Sequence, residues 1–188
     1  MQIHQDYQWL DPKARGASVA MGNFDGIHRG HQSVIDLARG HGPLGVITFE
    51  PHPRQFFAPQ APAFRLMNAE ARANRLARLG VEHLFQLPFD ATLASLTPEG
   101  FVNTVLHDGL GISHVVVGAD FCFGKGRAGT ANDLATLCEA KGIRTTIAPL
   151  VADNGTEISS TNIRRALTEG RPRDAAAMLG HWHRIEGA

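Results

Sequence analysis

Apolar residues along this chain alternate between two patterns. Short runs, four of them nearly continuous, stand at Ser18–Met21, Leu44–Phe49, His83–Leu87, His114–Val117 and Arg144–Ala148. Runs of this length, rich in β-branched residues, predict strands covered on both faces. Between them lie segments with helical spacing, at Gly30–Arg39, Asn68–Leu79, Pro98–His107 and Ala131–Ala140. Two short helices follow, Arg165–Gly170 and Pro172–Leu179, parted by a Gly-Arg-Pro break. Asn68 and Thr97 stand at N-cap positions, Pro98 at a first helical position, and Gly80, Gly109 and Gly142 where C-caps fall. Strand and helix in regular alternation predict an α/β fold, a Rossmann-like doubly wound parallel sheet of five strands flanked by helices. No internal repeat interrupts it, and Phe57–Phe64 (FAPQAPAF) reads as a loop of flap length.

Such sheets bind ligands beyond the carboxyl ends of their strands, and the unusual residues of this chain gather there. After the first strand comes GNFDGIHRGH, Gly22 to His31. A strand, a glycine-rich turn and a helix start bring together unpaired N–H groups, the positive end of a helix dipole and two imidazoles, which suits a polyphosphate. With a helix beginning near Ile27, His28 and His31 stand one turn apart on one face, as donors to phosphate oxygens. Gly30 leaves room for a nucleotide, and Gly22 and Gly26 serve backbone shape. Two surface histidines beside a helix cap is the plainer alternative. A zinc pair fits less well, because helical metal pairs usually sit four apart, as in HExxH. Asn23 lies in the turn, Asp25 reads as ligand or helix cap, and Phe24 as core or contact.

Three further segments follow later strands. In Glu50-Pro51-His52-Pro53 the two prolines fix the exit path and hold His52 in place. Gly118–Gly129 carries Asp120, Phe121, Phe123, Lys125 and Arg127, able to stack a ring and set a cation near phosphate, unless its phenylalanines turn into the core. Beyond a turn at Asp153-Asn154-Gly155, the residues Ser159, Ser160 and Thr161 precede Ile163-Arg164-Arg165. They read as a helix N-terminus that grips a triphosphate with Arg164, or as a plain capping motif, with one of the two arginines in solvent.

Composition narrows the class. The 188 residues suffice for one domain with a real core. A formal net charge of +0 argues against bulk electrostatic binding of nucleic acid. Two cysteines, Cys122 and Cys138, are too few for a disulfide framework or zinc finger and predict a reduced, cytoplasmic protein. The first sixteen residues lack the apolar stretch of a secretory signal, and no run of about 18 apolar residues predicts a membrane span.

In this order, GNFDGIHRGHQ, TFEPHP, VVVGADFCFGKGRAG and EISSTNIRRAL, with FRLM (Phe64–Met67) and LPFD (Leu87–Asp90) between them, resemble the FMN adenylyltransferase module of bacterial bifunctional riboflavin kinase/FAD synthetases. That family belongs to the HxGH nucleotidyltransferases, and the resemblance runs from about Ser18 to Gly187. It implies transfer of AMP from ATP to FMN, giving FAD and pyrophosphate, with Mg²⁺ carried on ATP and no metal held by side chains. His28, His31 and Arg164 would be catalytic. Gly22, Asn23, Phe24, Asp25, Gly26, Gly30, Ser159, Ser160 and Thr161 would contact ATP. Glu50, Pro51, His52, Pro53, Asp120, Phe121, Phe123 and Arg127 would line the flavin pocket. Residues 1–180 are expected to form the adenylyltransferase domain, with 181–188 starting a linker toward an absent riboflavin kinase module, so that kinase activity is not expected. The nucleophile, the FMN phosphate, has a second pKa of about 6 and needs no general base. Two alternatives remain: a related HxGH transferase with another phosphate acceptor, and a non-catalytic flavin- or nucleotide-binding module.

Overall fold

Six parallel strands form the central sheet of the computed structural model, which describes residues 1–62, 64–153 and 155–183. In chain order the strands are β1 (Gln2–His4), β2 (Ser18–Met21), β3 (Leu44–Glu50), β4 (His83–Pro88), β5 (His114–Gly118), β6 (Cys122–Phe123), β7 (Gly129–Thr130), β8 (Arg144–Ala148), β9 (Ala152–Asp153) and β10 (Thr156–Glu157). The sheet runs β1-β4-β3-β2-β5-β8, while β6 with β7 and β9 with β10 form two small antiparallel hairpins. The five predicted strands are all present, and β1 is a sixth that the apolar pattern does not predict. It has three residues, and only His4 is half-buried, too little for any periodicity to show. It adds to the sheet edge with Ile3 opposite Leu84.

The helices are α1 (Arg29–Leu37), α2 (Pro53–Phe57), α3 (Ala69–Arg78), α4 (Ala91–Ser95), α5 (Pro98–Gly100), α6 (Ala131–Glu139), α7 (Ser160–Thr168) and α8 (Pro172–Leu179). Alternation along the strands sends side chains to two faces. Val19, Met21, Ile47, Phe85, Val115 and Val117 share one buried cluster with Val102, Val105, Leu106 and Leu134. Ala20, Val46, Leu84 and Val116 share the other with Val34 and Ile35 of α1 and Leu76 of α3. The sheet is therefore covered on both sides, as its continuous apolar strands require. A third cluster joins α7 and α8 through Ile163, Ala166, Ala175 and Leu179, together with Leu66.

Two predicted helices differ in detail. The segment expected at Pro98–His107 opens as α5, capped by Thr97, and continues as a π-helix over Phe101–Gly109. Its wider turn shows in Leu110 N, which donates to Val105 O at 2.8 Å. Gly109 is thus inside the helix and not a cap; a Cβ there would meet Tyr7 O at 2.7 Å. Arg15 closes this end, with Nη1 donating to Asp108 O and Gly109 O at 3.1 and 2.7 Å. The helix expected at Arg165–Gly170 begins earlier, at Ser160, because Ser159 caps it.

From β2 the chain winds outward through β3 and β4, then crosses back to β5 and β8 on the other side. The direction of winding reverses between β2 and β5. Beyond the carboxyl ends of those strands an open α/β sheet has its binding crevice.

Candidate active site

The turn after β2 is bent by left-handed residues. Phe24, Gly26 and Ile27 have φ of +50, +90 and +42. At non-glycine residues such values cost on the order of 1–3 kcal/mol and persist only where the surroundings enforce them. Here Phe24 and Ile27 are locked in the core, at 1% and 0% exposure. Chain segments that alternate in this way form a nest of N–H groups suited to anions. Among the described residues, the N–H groups of Asn23, Phe24, Asp25 and Gly26 meet no acceptor, whereas that of Gly22 donates to Ile47 O at 3.1 Å.

Helix α1 begins at Arg29, two residues beyond the expected start near Ile27, and His28 is its cap. His31 N donates to His28 Nδ1 at 3.2 Å, so the ring proton of neutral His28 is on Nε2. The His28 and His31 rings stack with centroids 3.6 Å apart. Gly30 permits this packing: a Cβ there would lie 3.2 Å from the His28 ring and 3.3 Å from Ile158 O. Burial pushes the His28 pKa down to about 4, with Arg164 adding and Asp25 opposing. Burial, then His28 and Arg164, hold His31 well below the ordinary histidine range. Both rings are therefore neutral near pH 7. His31 Nδ1 is buried without a partner among the described residues.

Asp25 does not cap α1. Its Oδ1 accepts from Leu66 N and Met67 N at 2.8 and 3.2 Å, and its Oδ2 accepts from Arg164 Nη2 at 2.5 Å. A buried carboxylate is stable only when paired in this manner. Arg164 Nε also donates to Phe64 O at 2.7 Å. Ser160 Oγ donates to Asp25 O at 2.9 Å, although the two residues are 135 apart in sequence. The turn after β2 and the N-terminus of α7 therefore meet. Ser159 caps α7 by accepting from Asn162 N, Thr161 is exposed, and Arg165 is the arginine that faces solvent.

The other candidates occupy the neighbouring strand ends. Both oxygens of Glu50 accept from arginines, from Arg65 at 2.5 and 2.9 Å and from the fully buried Arg72 at 2.9 Å. The geometry gives Glu50 an anchoring task. These arginines hold its pKa below the carboxylate range, against the opposing effect of burial. Pro53 starts α2, Pro51 is exposed, and the buried His52 caps α2 by accepting from Arg54 N. Burial brings the His52 pKa down to about 4, opposed by Asp25 and aided by Arg65, Arg164 and Arg72. Asp120 and Arg127 are exposed, Phe121 is half-buried, and Phe123 lies in the core.

Several residues here were not predicted as a group. The Phe64 ring meets the His52 ring edge at 5.0 Å and carries the guanidinium groups of Arg54 and Arg164 at 4.6 and 5.3 Å. Phe57, Phe56, Phe89, Phe49, Phe101, Phe123 and Phe121 form a continuous aromatic row, each ring 5.1–6.4 Å from the next. Apart from Phe56 and Phe57 in α2, and Phe121 and Phe123 two residues apart, these rings come from distant parts of the chain, so no spacing in sequence reveals the row. Asp25 and Glu50 set two negative charges against three on Arg65, Arg72 and Arg164, an excess of one positive charge beside the turn. Among the described residues no three His, Cys, Asp or Glu side chains are grouped to hold a metal, and no helix is long and apolar enough to cross a membrane.

The chain is similar to known proteins over most of its length. A bifunctional riboflavin kinase/FMN adenylyltransferase of Pseudomonas fluorescens is 37% identical over 192 residues, covering 100% of this chain and 61% of the relative. The chain thus spans about three fifths of that relative's length. An FAD synthetase of Listeria monocytogenes is 38% identical over 177 residues, covering 90% of this chain and 71% of the relative. A crystal structure described as a macrolide-efflux protein of Streptococcus pneumoniae superposes with a TM-score of 0.81 at 30% identity, over 96% of this chain and 61% of that one. The family model described as FAD synthetase matches residues 10–162, from the N-terminal arm through the turn after β2 to the start of α7, and the chain belongs to that family.

Proposed function

We propose that the chain transfers the adenylyl group of ATP to FMN, releasing pyrophosphate and forming FAD. One observation carries the reading: the N–H nest, the stacked neutral pair His28–His31 and the hydroxyl-bearing N-terminus of α7 converge at the crevice between β2 and β5. That crevice offers donors without a general base or a nucleophile. An oxygen of the FMN phosphate attacks the α-phosphorus of ATP, and a P–O bond forms. The bond from that phosphorus to the bridging oxygen breaks, and its electrons leave with pyrophosphate.

The chain's tasks are to align two anions and to stabilise charge on the phosphoryl oxygens. Donors of the turn at Asn23, Phe24, Asp25 and Gly26, with Gly22 and Gly30 giving close approach, receive the ATP phosphates. His28 Nε2–H and His31 add neutral donors to the transferred group. Ser159, Ser160 and Thr161 present the positive end of α7, and Arg164, held by Asp25, supplies a fixed cation. The flavin ring suits the open members of the aromatic row, Phe121 at one end and Phe56 and Phe57 beside the stiffened Pro51-His52-Pro53 segment at the other. Phe123, expected as a contact, backs Phe121 from the core. Asp120 and Arg127 extend from the loop after β5, and Glu50 supports the pocket through its arginines. Asp25 is engaged by Arg164 and two backbone N–H groups, so Mg²⁺ would be held mainly by ATP itself and would supply charge neutralisation there. Residues 1–180 form the transferase domain in this reading, with 181–183 still packed against it, and the rest of the expected linker, 184–188, lies outside the described residues. Two free cysteines suit a cytoplasmic location.

Chromatography of flavins after incubation with FMN, ATP and Mg²⁺ tests the reaction. FAD is the expected product. Nicotinamide mononucleotide or pantetheine phosphate should accept nothing from ATP or CTP. Product from one of those acceptors, with none from FMN, would establish the alternative transferase. ATP and FMN binding without any product would leave a non-catalytic module.

A further inference from the structure

The turn that carries Asp25 is braced from the far end of the chain. Helix α8 ends at Leu179, and Gly180, with φ +75, turns the backbone so that residues 181–183 run back across the turn. The side chains of Leu66 and Leu179 fill the space beside Gly26, where a Cβ would come within 2.8 and 3.1 Å of them. Gln32 Nε2 donates to Ile27 O at 3.0 Å and to Leu179 O at 3.3 Å, tying the turn to the end of α8. His181 Nε2 lies 3.2 Å from Gly26 O, and His183 Nε2 lies 3.1 Å from Leu66 O. A carbonyl oxygen only accepts, so His183 Nε2 carries the proton and donates to Leu66 O. His181 has a carbonyl at each ring nitrogen, Nδ1 lying 3.0 Å from Trp182 O, and donates to Gly26 O in the tautomer with the proton on Nε2.

These two carbonyls lie on either side of Asp25. Gly26 follows it in the chain, and Leu66 is the residue whose N–H donates to its Oδ1. The positive φ values at Phe24, Gly26 and Ile27 make the turn a conformation that relaxes unless its surroundings hold it. We propose that His181 and His183 are positioning residues for the nucleotide site. They pin the backbone on both sides of Asp25 and so keep the N–H nest in its binding shape. The proposal rests on the reading of that turn as the site of the ATP phosphates.

Titration calorimetry with MgATP on the full chain, in the absence of FMN, tests this without requiring turnover. Replacing both histidines together by phenylalanine (His181→Phe and His183→Phe) keeps ring volume and removes both donors. Glutamine at both positions (His181→Gln and His183→Gln) restores an N–H at similar reach. The phenylalanine pair should weaken MgATP binding about tenfold, leave FMN binding within about twofold, and be largely rescued by the glutamine pair. A lowered melting temperature with unchanged MgATP affinity would make the contacts merely structural and overturn the proposal, as would equal weakening of FMN and MgATP. Should the double phenylalanine variant fail to fold, the single variants decide by the same comparison at about threefold each. An unaltered chain that does not bind MgATP also overturns it. One that binds MgATP yet makes no FAD refutes only the proposed reaction, and the comparison still decides this point.

Discussion

Buried histidines stand at both ends of β2, and they differ in one respect. At the amino end His114 is 1% exposed, and burial, with His41 and Arg144 nearby, pushes its pKa down to about 4. At the carboxyl end His28 is pushed to the same value. Both ring nitrogens of His114 have partners. Ser18 Oγ donates to Ala38 O at 2.7 Å, so His114 Nδ1 donates to Ser18 Oγ at 2.8 Å, and Thr146 Oγ1 donates to Nε2 at 2.9 Å. Around His28 and His31, a buried Nδ1 and several backbone N–H groups have none among the described residues. A depressed histidine pKa is therefore common to a structural cluster and a candidate site. Unmet hydrogen-bonding capacity separates them.

The comparison breaks most visibly by truncating each end. His31→Ala should lower the FAD-forming kcat by about 10²–10³-fold, the usual loss for an electrostatic donor at the transition state, with little change in FMN affinity. His114→Ala should do the reverse. It empties the space of a buried ring and takes a hydrogen-bond partner from Ser18 Oγ and from Thr146 Oγ1, and should cost about 2–3 kcal/mol in denaturant unfolding, with kinetics per folded molecule unchanged. Similar losses in both assays for both variants would erase the distinction.

Acid should weaken both ends alike. His28, His52 and His114 are held near a pKa of about 4 when folded, against 6.5 ordinarily. Between these values the unfolded chain binds more protons, so stability is fully present above about pH 6.5 and falls toward pH 4, by at most about 1.4 kcal/mol per pH unit for each ring. Urea titrations at pH 7 and pH 5 should show this loss, and a smaller one in His114→Phe. A flat profile would contradict the buried neutral rings. Gly30→Ala tests packing at the carboxyl end alone, and its Cβ should raise the KM for ATP about tenfold through crowding of the His28 ring. The smallest effect is expected of Glu50→Gln, a stability loss of about 1 kcal/mol with the KM for FMN within about twofold. A large rise in that KM at unchanged stability would make Glu50 a flavin ligand.

What sequence reveals follows from the range of the interactions involved. β2 occupies the predicted residues, because a strand covered on both faces is a continuous apolar run. The caps at Asn68 and Thr97 are equally local. Asp25 looks like a cap from its neighbours, but its partners are Leu66 and Arg164, 41 and 139 residues away, and nothing near it signals them. The π-helix depends on Arg15 and Tyr7 packing at its end, contacts that the periodicity of Pro98–His107 does not encode. His28 and His31 are legible as a site from the glycine-rich turn between strand and helix. Their stacking and neutrality are not, because both follow from burial. The aromatic row is invisible until the sheet gathers its members.

The most direct measurement follows the label of [α-³²P]ATP mixed with FMN, Mg²⁺ and the unaltered chain. The account predicts that the label appears in FAD, in step with pyrophosphate release, and that His31→Ala slows this about 10²–10³-fold while still binding FMN. Label that stays out of the flavin, or enters it equally fast with His31→Ala, would contradict adenylyl transfer at this turn.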